Sequence, residues 1–282
     1  MTSSAVSRGL QVTLRPTLIA KEEDMEAWWL SADRDLAWWN VWFEGYRSFL
    51  LTYAREAQGL GIHRIIVGGV EIAPALPGGQ LSADTPSGVP QDAEDRWRTL
   101  ISEIRSTFNG KLALELELAE ELQSPPNFVD AFDEIYVYWH APLTSNDDAS
   151  SSEMQAVAGS LLDDVLLSNS NLADMPIYLS VEYLSITGSA KACAKAPDES
   201  CRPPSAFDQG AIVDPDIEVD LFAQAEAVNA VLLEATLRSE VMGFYVRSYN
   251  PTVVLHDKSA SINGKPARDV VWHWYTHLTS QR

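Results

Sequence analysis

The feature that most constrains the fold of this chain is a regular alternation of short β-branched segments with amphipathic ones. The segments Leu10 to Pro16, Arg64 to Glu71, Lys111 to Glu117, Glu134 to Trp139, Pro176 to Leu184 and Val241 to Arg247 are short, apolar and rich in Val, Ile, Leu and aromatic residues. That is how strands buried on both faces read. Between and after them lie Trp42 to Leu60, Asp95 to Asn109, Phe128 to Phe132, Met154 to Leu167, Asp216 to Ser239 and Pro266 to Leu278, most with apolar residues at helical spacing. Strand–helix units in this order predict a parallel sheet with right-handed crossovers. A doubly wound sheet and a (β/α) barrel both satisfy the pattern. The first usually carries a glycine-rich phosphate turn after an early strand, whereas Gly68-Gly69 is followed by Val70-Glu71-Ile72. Long loops with aromatic and acidic residues after the strands favour the (β/α)8 TIM-barrel type, with about six units present and residues 1–282 forming one domain.

Two strand segments end on a glutamate: Val67-Gly68-Gly69-Val70-Glu71 and Leu179-Ser180-Val181-Glu182. A carboxylate there is costly unless it faces a polar site or a partner. In a barrel the C-terminal strand ends converge on the active face, and two glutamates brought together there form the acid and nucleophile of a glycosidase. The competing reading for each is a salt-bridged rim residue. Glu115 and Glu117, alternating with leucines on the third strand, are a reserve acidic pair.

Aromatic residues concentrate near these positions. Trp28 and Trp29 fall in a loop segment above the barrel and are candidates for stacking on sugar rings, while Trp42, in helical register with Phe49, reads as core. Trp139 and His140 follow the fourth strand and are candidates to line a cleft. Tyr138 and Tyr183 neighbour Glu182 in the barrel order, and one of them is expected to donate to its carboxylate, against the alternative of ordinary core tyrosine. His63 precedes a strand, away from the active face, and reads as structural. Asp257 and Asn263 read as turn residues.

The formal charge of −20 opposes binding to nucleic acid and to anionic membranes. No apolar run reaches the length of a membrane span. Cys193 and Cys201 flank a polar stretch without the partners of a zinc set, so a local disulfide is preferred over two free thiols. A disulfide implies an extracellular or cell-surface location, although Met1 to Arg8 lacks the apolar middle of a signal peptide. No metal-ligand spacing and no cofactor motif stands out, and composition leaves the oligomeric state undetermined.

The segments Trp42-Phe43-x-x-Tyr46-x-x-Phe49-x-x-x-Tyr53-Ala54-x-x-Ala57-x-x-Leu60-Gly61, Val67-Gly68-Gly69-Val70-Glu71 and Trp97-Arg98-x-Leu100-Ile101-x-x-Ile104-Arg105-x-x-x-x-Gly110 resemble glycoside hydrolase family 113. So do Phe132-Asp133-Glu134-Ile135-x-Val137-Tyr138, Pro176-Ile177-x-Leu179-Ser180-Val181-Glu182-Tyr183, Gly243-Phe244-Tyr245 and Ser261-x-x-Gly264-Lys265-Pro266-Ala267, in the family's order. The resemblance implies a (β/α)8 barrel of retaining β-mannanases acting on a carbohydrate. Glu71, ending the family's fourth strand, would be the acid/base, and Glu182, ending the seventh, the nucleophile. On this register Leu10 to Pro16 would be the family's third strand, so that either the first two strand–helix units lie upstream of Met1, the preferred expectation, or the barrel is incomplete by nature. Two departures stand out: Val70 occupies the place of the family's usual threonine, and Phe244-Tyr245-Val246-Arg247 lacks its usual tryptophan. A non-catalytic carbohydrate-binding barrel and a barrel fragment serving as a scaffold are the alternatives to an enzyme.

Overall fold

The computed structural model describes residues 2–19, 25–31, 33–81, 85–118, 122, 125–146, 149–173, 175–195, 200–202, 204–207, 216–254 and 256–280. The chain divides into two compact units, Met1–Tyr136 and Val137–Arg282. Six principal strands carry it: β1 (Thr13–Leu14), β2 (Arg64–Gly68), β3 (Lys111–Glu117), β4 (Glu134–Trp139), β5 (Ile177–Val181) and β6 (Val241–Val246). The unit boundary falls within β4.

In the first unit the hydrogen-bonded order is β1-β2-β3-β4. β1 pairs in parallel with β2, Thr13 opposite Arg64, and β2 with β3, Arg64 opposite Lys111 through Gly68 opposite Glu115. Every residue of β2 and Leu112 to Leu116 of β3 are buried, which accounts for near-continuous apolar runs rather than a clean alternation. Helix α1 (Leu36–Leu60) begins six residues earlier than its apolar spacing predicts. Asp35 caps it by accepting from the Trp38 N–H at 2.8 Å, and this draws Trp38 and Trp39 into the helix. Gly61, at φ 67°, ends it. Helix α2 (Ala93–Thr107) buries Trp97, Leu100, Ile101 and Ile104 on one stripe, and the Trp97 indole donates to the Ala75 carbonyl at 2.9 Å. The predicted short helix near Phe128 is a 3-10 turn, Asn127–Ala131.

At the N-terminal ends of these strands Glu134 is wholly buried and ion-paired with both Arg64 and Lys111. Arg64 also donates to the Thr13 hydroxyl at 3.3 Å and lies over the Tyr136 ring. The pair of charges offsets the desolvation that either would suffer alone.

In the second unit the order is β4-β5-β6, with β5 and β6 parallel and a register shift between Val241 and Gly243. Helix α3 (Ser151–Ser160) opens with a capping box of Ser150 and Glu153 and continues as a π-helical stretch, Leu161–Leu167, where sequence spacing predicts one uninterrupted α-helix. Arg238 braces it by donating to the Gly159 carbonyl at 3.2 Å and to Asp163 at 2.7 Å. Helix α4 (Leu221–Thr236) starts later than predicted because Asp220, accepting from the N–H groups of Phe222 and Ala223, is its cap. Its face of Ala225, Ala227, Val228, Ala230, Val231 and Leu232 is buried. Helix α5 (Pro266–Ser280) ties back through the Trp274 indole to Asn229 at 2.9 Å and the Tyr275 hydroxyl to the Phe244 carbonyl at 2.9 Å.

Cys193 and Cys201 are bonded to each other, with Cα atoms 5.0 Å apart. They flank a two-residue antiparallel ribbon, Ala194–Lys195 with Cys201–Arg202; residues 196–199 of the intervening polar stretch lie outside the described residues. No helix among the described residues is long and apolar enough to cross a membrane.

Candidate active site

Each unit places one of the two glutamates, and each is best followed through its own supports. In the first unit β2 ends at Gly68, so Glu71 is not the last strand residue that the apolar run predicts. It lies in the first turn of a 3-10 helix, Val70–Ala75. The cause is Gly68-Gly69, at φ 105° and 109°, a backbone that side-chain-bearing residues rarely adopt. A Cβ on Gly68 would meet the Glu115 carbonyl at 2.5 Å, and one on Gly69 would meet Arg15 Nη2 at 2.4 Å and Glu71 Oε2 at 2.6 Å. The two glycines thus let a guanidinium and two carboxylates crowd against the chain.

Arg15, just past β1, occupies that space. Its Nε donates to Glu115 Oε2 at 2.6 Å and its Nη2 to Glu115 Oε1 at 2.7 Å, a bidentate pair. Nη2 also donates to Glu71 Oε2 at 3.0 Å, and Nη1 donates to the Thr17 hydroxyl at 2.7 Å. Glu115 is 1 % exposed, so it has the place of a buried counter-charge and not of a group that meets substrate; this corrects its reading as a reserve catalytic residue. Burial pushes the Tyr46 hydroxyl well above the usual tyrosine range, with a hydrogen bond to the Gly68 backbone opposing it and Glu71, Arg15 and Glu115 all within its field.

Trp28 and Trp29 lie on a short helix, Met25–Leu30, where a loop is expected. Trp29 is 3 % exposed, packed on Trp28, Trp38, Trp39 and Trp42, and its indole donates to the Glu71 carbonyl at 3.0 Å. It therefore holds the Glu71 backbone and presents no open face for a sugar. Trp28 is half-buried beside Trp38, with ring centroids 5.8 Å apart.

In the second unit Glu182 follows directly on β5, and its N–H donates to the Trp139 carbonyl at 3.0 Å. The Tyr138 hydroxyl donates to Glu182 Oε2 at 2.6 Å, a charge-assisted geometry. Arg247, just past β6, lies 4.0 Å over the Tyr138 ring with its Nε 3.9 Å from the same Oε2. His140 Nδ1 sits 2.9 Å from the Glu182 carbonyl. A carbonyl only accepts, so the Nδ1 atom carries a proton and donates it there. His140 is half-buried and its ring lies parallel to Tyr138 at 6.2 Å.

Trp139 and Tyr183 are buried, the indole donating to the Tyr183 hydroxyl at 3.0 Å and that hydroxyl to the Ala141 carbonyl at 2.7 Å. Burial drives the Tyr183 phenol far above its usual range. These two side chains brace the walls of the site and have no open face toward a ligand, whereas Tyr138 touches the carboxylate and His140 is partly open.

Behind Glu182 the loop is fixed by buried polar groups. Gln224 donates to the carbonyls of Tyr183 at 2.8 Å and Ala260 at 3.0 Å, and Ser185 donates to Gln224 Oε1 at 2.9 Å. Lys265 Nζ donates to the Ser185 hydroxyl at 2.7 Å and lies 3.4 Å from Asp257, so Asp257 is an ion-pair partner rather than only a turn residue. Burial lowers the Lys265 ammonium to about 8. Because its pKa in the folded state lies below the unfolded value, the folded protein sheds this proton first, and stability rises as pH climbs from 8 toward 10. A chemical denaturation series at pH 7.5 and 9.5 is expected to show a gain of about 2 kcal/mol from this group in the native protein, absent in Lys265→Met; equal slopes in the two proteins would refute it. Among the described residues no cluster of His, Cys, Asp and Glu could hold a metal ion.

Apolar strand ends single out Glu71, Glu182, Tyr138 and His140 as candidates in the sequence, and do not single out Arg15 and Arg247, which the structure places against the two glutamates. Both arginines sit one residue past a strand end, the position at which the glutamates were sought.

Comparison with known proteins bears on this geometry. The model of Glycoside Hydrolase Family 113 matches residues 1–161. A solved structure of a GH113 beta-1,4-mannanase in complex is 22 % identical at TM-score 0.69, covering 98 % of this chain and 76 % of that one. A GH113 beta-mannanase from Alicyclobacillus acidocaldarius in complex with ManMIm is 20 % identical at TM-score 0.62, covering 99 % and 76 %. Xylanase 10B from Thermotoga maritima is 7 % identical at TM-score 0.51, covering 100 % and 79 %. None of the curated proteins matches. The likenesses carry the fold, that of the (β/α) TIM-barrel type, with a six-stranded parallel sheet among the described residues. The family match spans more than half of the 282 residues, and this chain belongs to glycoside hydrolase family 113.

Proposed function

We propose that this chain is a retaining glycoside hydrolase of β-mannan, with Glu182 as nucleophile and Glu71 as acid/base. The observation that carries the reading is the 2.6 Å hydrogen bond from the Tyr138 hydroxyl to Glu182 Oε2. It aims the carboxylate, stabilises its charge and leaves Oε1 as the attacking atom. Attack on the anomeric carbon gives a glycosyl ester of Glu182, while Glu71 delivers its proton to the departing oxygen. Glu71 then takes a proton from water, which attacks the same carbon and releases Glu182. Both substitutions invert, so configuration is retained.

Trp28, half-buried beside Trp38, and His140 are the side chains proposed to meet sugar. The mannan preference rests on family membership and on the mannanase structures the fold resembles. The Cys193–Cys201 bond supports work in an oxidising, extracellular or cell-surface setting.

The test is release of reducing ends from β-1,4-mannohexaose beside the gluco and xylo hexasaccharides, with calorimetric binding of each. Expected is turnover of the manno compound with the β-anomer formed first. Binding without turnover would replace the enzyme reading with that of a carbohydrate-binding barrel.

A further inference from the structure

The buried carboxylate of Glu115 has no part in the double displacement, yet it takes the strongest bonds that Arg15 makes. Both of its oxygens accept, at 2.6 and 2.7 Å, whereas the same guanidinium reaches Glu71 at 3.0 and 3.3 Å. Glu115 is 1 % exposed, while the side chains of Arg15 and Glu71 are 22 and 16 % exposed. Gly68 and Gly69 leave room for the three groups to meet, and the Tyr46 phenol lies within the same field.

A general acid must be held in place and still keep its proton until the leaving oxygen needs it. A cation at hydrogen-bond distance does the first and opposes the second. We infer that Glu115 is a positioning residue that neutralises Arg15, so that the guanidinium orients the Glu71 carboxyl without holding it ionised. The inference rests on the reading of Glu71 as acid/base. In chemical terms no group is transferred to Glu115; its charge balances that of Arg15 while the proton passes between Glu71 and the leaving oxygen.

The test compares two substrates in the full chain: β-1,4-mannohexaose, whose leaving sugar needs a proton, and 2,4-dinitrophenyl β-mannoside, whose leaving group does not. Glu115→Gln leaves Arg15 uncompensated. Its kcat is expected to fall about tenfold on mannohexaose and less than about threefold on the aryl mannoside, with KM for both within about twofold. The double variant Arg15→Met, Glu115→Leu removes both charges and replaces them by apolar bulk, which buried pairs tolerate. In it the ratio of the two kcat values is expected to return to within about twofold of the native ratio, even as absolute turnover falls through lost orientation.

A merely structural role would lower both substrates alike in Glu115→Gln, and that result overturns the inference. So does an unchanged ratio in the single variant or an unrestored one in the double. Glu71→Gln separates the two levels of the claim. If it discriminates between the substrates and Glu115→Gln does not, the charge-balancing role alone falls. If neither discriminates, the acid/base assignment of Glu71 falls, and the role of Glu115 with it.

Discussion

Glu182→Gln is expected to lower kcat on β-1,4-mannohexaose by at least about a thousandfold while leaving calorimetric affinity for the same sugar within a few-fold. The amide keeps the side chain's shape but cannot attack the anomeric carbon. It also keeps an oxygen able to accept from the Tyr138 hydroxyl, so the walls of the site are not disturbed. A thousandfold corresponds to about 4 kcal/mol of transition-state stabilisation, which is modest for a step whose covalent bond has been removed. Loss of binding in parallel with turnover would point to a collapsed site and not to a missing nucleophile. Turnover that survives the change would remove Glu182 from the mechanism.

The largest expected effect on stability comes from the opposite ends of the strands. Glu134→Gln deprives the buried guanidinium of Arg64 and the ammonium of Lys111 of the carboxylate they share. Removing one partner of a buried ion pair leaves a charge with its desolvation cost and without its compensation, and is expected to destabilise by about 3–5 kcal/mol. Equilibrium urea denaturation measures it. Replacing Arg64 and Glu134 together by Met and Leu is expected to recover most of the loss, since apolar bulk fills the space without a charge to solvate. A loss below about 1 kcal/mol for Glu134→Gln would mean that water or a relaxed side chain solvates Arg64, contrary to its 3 % exposure.

Strand and helix order was legible because buried parallel strands and amphipathic helices leave different periodicities in the sequence. Glu134–Trp139 and Lys111–Glu117 match their apolar segments residue for residue. Boundaries were less legible wherever capping decided them. Asp35 and Asp220 start their helices at places that apolar spacing alone does not mark. Glu71 was legible as a candidate but misplaced on the strand, because apolar character runs past Gly68 while the backbone does not.

The site was half legible for a related reason. A carboxylate at the end of an apolar run is conspicuous. The arginine that meets it comes from a strand distant in sequence: Arg15 pairs with Glu71 and Glu115, and Arg247 with Glu182. Nothing local marks such a partner. The tryptophans mislead in the opposite direction. Clustered aromatics suggest sugar stacking, yet Trp29 and Trp39 are buried and make their ring contacts within the aromatic cluster itself.

The most direct test of the glycosidase reading is to trap the covalent intermediate. An activated 2-deoxy-2-fluoro-β-mannoside forms the glycosyl ester faster than water removes it, because the fluorine destabilises the oxocarbenium-like transition states while the good leaving group rescues the first step. Peptide mapping by mass spectrometry is then expected to find one fluoromannosyl group on the peptide spanning β5, attached at Glu182. Attachment at another carboxylate, or undiminished turnover of mannohexaose with no residue labelled, would contradict the assignment.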